Sequence, residues 1–438
     1  MRAFRSRRVL APEGERAACI VARDGRIEAV VDWAAAPHDV LDFGDALVMP
    51  GVVDTHVHVN EPGRTEWEGF RTATESAAAG GITAIVDMPL NSVPVTTTLR
   101  AFSDKRAAAR GQCIVDIGYW GGVVPGNTAE LAPMAEKGVR GFKCFMVDSG
   151  IAEFGWVQEG DLRSAMKELK RIGAPLLVHA EVSGPLREPS GDPRKYSTYL
   201  SSRPRASENE AIALADKLCR ETGARTHIVH HSSSDALETL RAARRDGVPL
   251  TSETCPHYLR FAAEEIPDGH TEFKCAPPIR ERENREALWR ALAEGTLDLI
   301  ASDHSPCSPQ LKGDGRFDEA WGGVSGLQLS LPVAWTEASR RGHTLRDLAR
   351  WMCEGPARLA GLQRRKGALQ PGFDADLCVW RPEETFRVDP AQLHHKHKLT
   401  PYAGQELYGV VVATVLRGEL IYADGAFRGA PRGEELLK

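Results

Sequence analysis

The chain has 438 residues, a formal net charge of −5, 42% hydrophobic and 26% charged residues, enough to bury a large core in one big domain beside a smaller one. Acidic and basic residues are interspersed, leaving no electrostatic footprint for nucleic acid, and no apolar run approaches the ~20 residues needed to span a bilayer. The nine cysteines stand singly without a CxxC pair, and the basic start Met1–Arg8 runs into Pro12, Glu13 and Glu15 rather than an apolar stretch. A soluble protein of the reducing cytoplasm, without a signal peptide, is expected.

Residues 1–49 carry short β-type pieces, Ala18–Ala22 and Arg26–Val31, separated by an Asp24-Gly25 turn. From residue 50 the pattern becomes apolar strand, polar junction, then Ala/Leu/Glu/Arg-rich helix, repeatedly. Strands are expected at Val48–His56, Ile82–Met88, Ile114–Tyr119, Gly141–Phe145, Pro175–His179, Thr226–His230, Pro249–Glu253 and Asp298–Ser302. Helices are expected at Gly69–Ala79, Leu162–Arg171, Glu208–Thr222, Asp235–Asp246 and Arg282–Ala293. This alternation predicts an α/β fold, a (β/α)8 TIM-like barrel over 50–370; strand counting leaves an open doubly wound sheet as the alternative. After about 370 the short-strand style returns, at Gly372–Trp380, Tyr408–Leu416 and Gly418–Gly425. Residues 1–49 and 371–438 are therefore expected to form one small β-sandwich domain from both chain termini.

Polar residues recur at the ends of the expected strands. Gly51-Val-Val-Asp-Thr-His-Val-His-Val-Asn-Glu-Pro-Gly-Arg64 delivers His56 and His58 from the first strand, and residues two apart on a strand share a face. The fourth strand supplies Lys143, the fifth His179, the sixth His230 and the eighth Asp303. By alternation His227 and His231 face away from His230. Singly, His179 reads as a core histidine, Asp303 as a cap and Lys143 as a rim ion pair. Together, at the strand ends where such barrels place their chemistry, the six predict a metal site. A free ammonium repels a cation, but a lysine carboxylated by CO2 would be an anionic ligand able to bridge two.

This set resembles the binuclear amidohydrolase superfamily, specifically its cyclic-amidohydrolase branch of dihydroorotases, hydantoinases, dihydropyrimidinases and allantoinases. The resemblance spans Met49 to the Gly418–Gly425 hairpin. It implies that His56 and His58 hold one divalent metal and His179 and His230 the other, with carboxylated Lys143 bridging. Asp303 would ligate the first metal and carry the proton in catalysis. Zinc comes first among the candidate ions, with cobalt, manganese, nickel and iron also accepted by such donors. Within the branch, Asn60–Phe70, Asp87–Ser92, Phe142–Gly150, Ser252–Tyr258, Phe273–Arg280 and Ala320–Gln328 are most similar to allantoinases, which implies hydrolysis of the cyclic amide of allantoin to allantoate. Asn60 stands where dihydroorotases carry a carboxylate-binding arginine, and Asp148 where hydantoinases and dihydropyrimidinases carry an oxyanion-supporting tyrosine. Ala276 replaces a hydantoinase serine.

Arg64, Asn91, Ser149, Cys275 and Trp321 are the candidates for holding the substrate's ring and ureido arm, Asn91 and Arg64 foremost because directional donors and acceptors read neutral amides. His257 and His304 are candidates for orienting the ligands, and the cluster His394-His395-Lys396-His397 is expected at the surface. A homotetramer without nucleic-acid or membrane partners is implied. The alternatives are a hydantoinase-like hydrolase of another cyclic ureide and a metal-free scaffold of the same fold, against which the complete ligand set speaks.

Overall fold

Eight parallel strands form a closed ring at the centre of the computed structural model, which describes residues 1–438. In chain order they are Val52–Val57, Ile82–Asp87, Asp116–Tyr119, Phe142–Phe145, Leu176–His179, Thr226–Ile228, Leu250–Thr254 and Leu299–Ile300. The third strand continues past Trp120 into Gly121–Gly122, which pairs with Phe142–Phe145. A bridge between Val57 and His304 returns the extension of the last strand to the first. Closure excludes the open sheet and makes the barrel the fold. Strands such as Ile82–Asp87 and Leu176–His179 are buried at every residue, the signature of parallel strands covered on both faces.

The helices follow the periodicity that predicts them. Glu159–Ile172 buries Leu162, Ala165, Met166 and Leu169, a stripe at helical spacing. Gln158 and Asp161 form its capping box, and Gly173 stops it at φ 67°, a conformation that only glycine adopts without penalty. Truncating the last, fully buried member of that stripe with Leu169→Ala would cost about 2–5 kcal/mol.

The strand expected at Val48–His56 is two strands. Leu47–Pro50 pairs with Leu377–Arg387 in the terminal sheet, whereas Val52–Val57 enters the barrel. Gly51 is the joint, for a Cβ there would lie 2.3 Å from the Thr83 hydroxyl. Strands from both termini make one nine-stranded sheet, with Leu47–Pro50 between Arg2–Ala11 and Leu377–Arg387. That sheet has its own core around Phe4, Val9, Ile20, Val48, Val379 and Val415. The last residues pack on the barrel instead: Ile117 bridges Glu435, and the Leu436 N–H donates to the Ile117 carbonyl at 2.7 Å. No helix is long and apolar enough to cross a membrane.

Candidate active site

A cleft of 730 Å³ opens over the C-terminal ends of the barrel strands, and His56, His58, Lys143, His179, His230 and Asp303 all line it. None of the six is more than 7% exposed. The pleat alone does not aim them. The strands stop at Val57, Ile228 and Ile300, short of His58, His230 and Asp303. His230 and Asp303 have φ of 39° and 46°, a left-handed conformation that costs about 1–3 kcal/mol outside glycine and persists only where the surroundings impose it.

Carboxylates behind the imidazoles orient them. His56 Nδ1 lies 2.5 Å from Glu253 Oε1, and Glu253 Oε2 takes His227 Nε2 at 3.1 Å. Burial works against the Glu253 carboxylate, yet His56 and His227 bring it down to about 2. His179 Nε2 lies 2.9 Å from Glu181, which Arg203 grips through both oxygens at 3.1 and 2.7 Å. Asp54 accepts the His56 and Ser302 N–H groups. The amide of Asn91 stands 3.4 Å from His58 Nδ1. With Nδ1–H committed to Glu253, His56 Nε2 presents a lone pair, and it faces Asp303 Oδ1 at 3.1 Å.

Two electron-rich atoms so placed call for a cation between them. His56 Nε2, His230 Nδ1 and Lys143 Nζ are buried without any hydrogen-bond partner, which native interiors tolerate only for a reason. His56, His58 and Asp303 bring their ligand atoms within 4.8 Å of one another, and His179 Nδ1 meets His230 Nε2 at 2.9 Å. This donor set fits divalent cations. Burial holds the Lys143 ammonium down to about 8.

Among the expected substrate contacts, Asn91, Ser149, Cys275 and Trp321 line the cleft and Arg64 does not. Arg64 spends its guanidinium on the Asn91 carbonyl at 2.9 Å and on Glu153 at 3.0 Å, so it shapes the loop that carries Asn91. The Ser149 hydroxyl donates to the Phe154 carbonyl at 2.7 Å, and the indole N–H of Trp321 is unpartnered. Asp148 accepts the Gly150 N–H at 3.0 Å, a turn rather than an oxyanion contact. His227, set aside by strand alternation, sits under the site on Glu253.

Of the segment His394–His397, expected at the surface, Lys396 is exposed and His394 and His397 are half-buried, whereas His395 departs from the expectation. His395 is fully buried with its ring centroid 5.5 Å from that of His304, and Lys396 and His397 bond the carbonyls of Thr65 and Glu66. Sequence reasoning missed Glu253, Glu181, Arg203 and Asp54. Local signals existed for three of them: Asp54 and Glu181 each lie two residues from a ligand histidine candidate, and Glu253 ends the seventh expected strand.

A sequence profile described as "Amidohydrolase family" matches residues 47–421. An allantoinase of Streptomyces avermitilis is 51% identical, the alignment covering 99% of this chain and 98% of that one. Those of Arabidopsis thaliana and Saccharomyces cerevisiae are 44% and 43% identical over 96% and 91% of this chain and 88% of each of theirs. Among solved structures, the L-hydantoinase (dihydropyrimidinase) of Arthrobacter aurescens superposes with a TM-score of 0.94 at 32% identity, covering all of both chains.

Proposed function

The chain belongs to the amidohydrolase family, and from that membership we propose that it hydrolyses the cyclic amide bond of allantoin to give allantoate. The observation that carries the substrate is the 51% identity, over nearly the full length of both chains, to a relative named allantoinase; the hydantoinase that shares the fold is only 32% identical.

His56, His58 and Asp303 would hold one divalent cation, His179 and His230 a second, and Lys143 would bridge them as a carbamate. Carbamate formation begins once the ammonium has given up a proton: the neutral amine nitrogen bonds the carbon of CO2 and releases a second proton, turning a group that repels cations into an anionic bridge. The burial of Lys143 Nζ without any partner supports this reading. When bound, the two cations would supply an activated water and a polarised scissile carbonyl.

The chain's own groups do the rest. Asp303 takes the proton of the attacking water as the new carbon–oxygen bond forms, and delivers it to the ring nitrogen as the carbon–nitrogen bond breaks. Glu253 and Glu181 fix the His56 and His179 rings, so their lone pairs need no reorganisation during turnover. Trp321, Asn91, Ser149 and Cys275, which line the cleft, border the substrate's ring and ureido arm. Zinc is the proposed metal and a homotetramer the proposed assembly. The cytoplasm is the proposed location, supported by nine buried cysteines without a disulfide.

The test is turnover of allantoin, hydantoin, dihydrouracil and dihydroorotate by the purified protein. Allantoin should be the fastest; faster opening of a simple hydantoin or dihydropyrimidine would overturn the substrate assignment. Elemental analysis should find two divalent metals per chain.

A further inference from the structure

Asp303 holds a left-handed backbone conformation, φ 46°, and something must impose it. On its N-terminal side, the Ser302 N–H is caught by both oxygens of Asp54 at 3.2 and 3.1 Å, and the Ser302 hydroxyl bonds the His56 carbonyl at 3.2 Å. On its C-terminal side stands His304, fully buried. Its N–H donates to Ser302 Oγ at 3.1 Å, and its carbonyl accepts the His58 N–H at 2.8 Å. The imidazole is also pinned. Nδ1 faces the N–H groups of Gly326 and Leu327 at 3.2 and 3.4 Å, so it is the acceptor nitrogen. Nε2 therefore carries the proton and points it at Glu68 Oε2, 3.4 Å away.

Glu68 is itself buried and held from three sides: by the Thr72 hydroxyl, by the Gly69 N–H at 3.2 Å and by the Lys396 N–H at 3.2 Å. The Lys396 contact comes from the segment that packs the buried His395 ring against His304. Both His395 nitrogens lack a partner, so what the ring supplies there is bulk. The 393–398 segment thus closes the outer side of His304 and ties it to the loop after the first barrel strand.

We propose that His304, clamped between Glu68 and the His395 ring, is the positioning residue that keeps Asp303 in its left-handed conformation beside His56 and His58. This rests on the reading of Asp303 as metal ligand and proton carrier. The clamp reaches the reaction through Asp303 and His58 and touches no substrate, so its loss should act on kcat and leave KM for allantoin nearly unchanged.

Four variants of the full chain test it: Glu68→Leu, Glu68→Gln, His395→Ala and His395→Phe. Glu68→Leu and His395→Ala should lower kcat by about 10–100-fold, the usual effect of removing a group that orients a ligand, with KM within about twofold. In both, amide hydrogen exchange of the metal-free protein should quicken over residues 300–307. Glu68→Gln keeps an acceptor for Nε2–H and His395→Phe keeps the ring's bulk, so each should retain most of kcat and the slow exchange. Unchanged kcat and exchange in Glu68→Leu and His395→Ala would overturn the proposal, as would equal losses in the conservative pair. If Glu68→Leu does not fold, the two His395 variants decide the matter alone. Wild-type protein that does not open allantoin would refute the assigned reaction, whereas the exchange measurement would still judge the clamp.

Discussion

Two buried lysines lie at opposite ends of the barrel, and their surroundings could hardly differ more. Lys366 sits where the bottom of the barrel meets the terminal sheet, 2.8, 3.0 and 2.5 Å from carboxylate oxygens of Asp116, Asp374 and Asp376. Arg417 pairs with Asp116, and Arg365 bonds Asp374 at 2.7 Å. Lys143 is equally buried and meets no acceptor at all. Burial lowers both ammonium groups; at Lys366 the three carboxylates reverse the shift upward, while at Lys143 it stands. Three clustered carboxylates would suit a metal by composition, and Asp116, Asp374 and Asp376 are close enough together to hold one. Their cation is already supplied by a side chain. At the cleft the nitrogen lone pairs face a carboxylate with nothing between. The lower cluster encloses its own cation, whereas the cleft set leaves its electron-rich atoms confronting one another and is the candidate ligand set.

Exchanging the two lysines for neutral residues should separate the regions most sharply. Lys143→Ala should abolish allantoin turnover, a loss beyond the ~100-fold upper range for groups that merely orient ligands. Its thermal midpoint without metal should not fall, because no hydrogen bond is lost. Lys366→Met should do the reverse, leaving Asp376 without a cation and Asp116 and Asp374 with one arginine each, and costing about 3–5 kcal/mol in denaturant unfolding, with kcat of the folded fraction unchanged. Equal damage to stability and turnover in either variant would erase the distinction.

Glu253→Ala probes the cleft one step back. It frees His56 Nδ1 and His227 together and should reduce metal affinity or kcat by about 10–100-fold, read by chelator competition and steady-state kinetics. The lower network has its own pH signature. Because the folded Lys366 ammonium titrates above its unfolded value of ~10.4, its contribution is complete below that pH and fades as pH rises through the higher folded value. The stability gap between wild type and Lys366→Met should therefore hold steady from neutral pH to about 10 and close above it. The smallest effect is expected at the cleft's outer loop. Glu153→Gln breaks the partly exposed Arg64 pair and should shift unfolding by less than ~1 kcal/mol, leaving KM for allantoin unchanged.

Much of the site was legible because its identity is local. His56 and His58 stand at the end of an apolar strand, Lys143 lies within the fourth, His179 ends the fifth, and Asp303 lies just past the last. The barrel was legible for the same reason, since alternation of apolar strands and amphipathic helices is written in short windows. Where one apolar run serves two sheets the pattern misleads, and the division at Gly51 passes unseen because a Thr83 side chain, not a local preference, demands the glycine.

What the amino-acid order determined by itself was the list of groups able to bind metal and the strand ends that carry them, because strand period and residue chemistry are properties of neighbouring positions. What only the tertiary structure decided was which of those groups is left without a partner. Glu253 reaches His56 across 197 residues, and Lys396 reaches Glu68 across 328. Arg64, a candidate contact by composition, is consumed by Glu153 and the Asn91 carbonyl, and His395, polar enough for the surface, closes the wall behind His304. Hydrogen bonds and ion pairs form between whichever groups folding brings within about 3 Å, and no periodicity in the chain records those meetings.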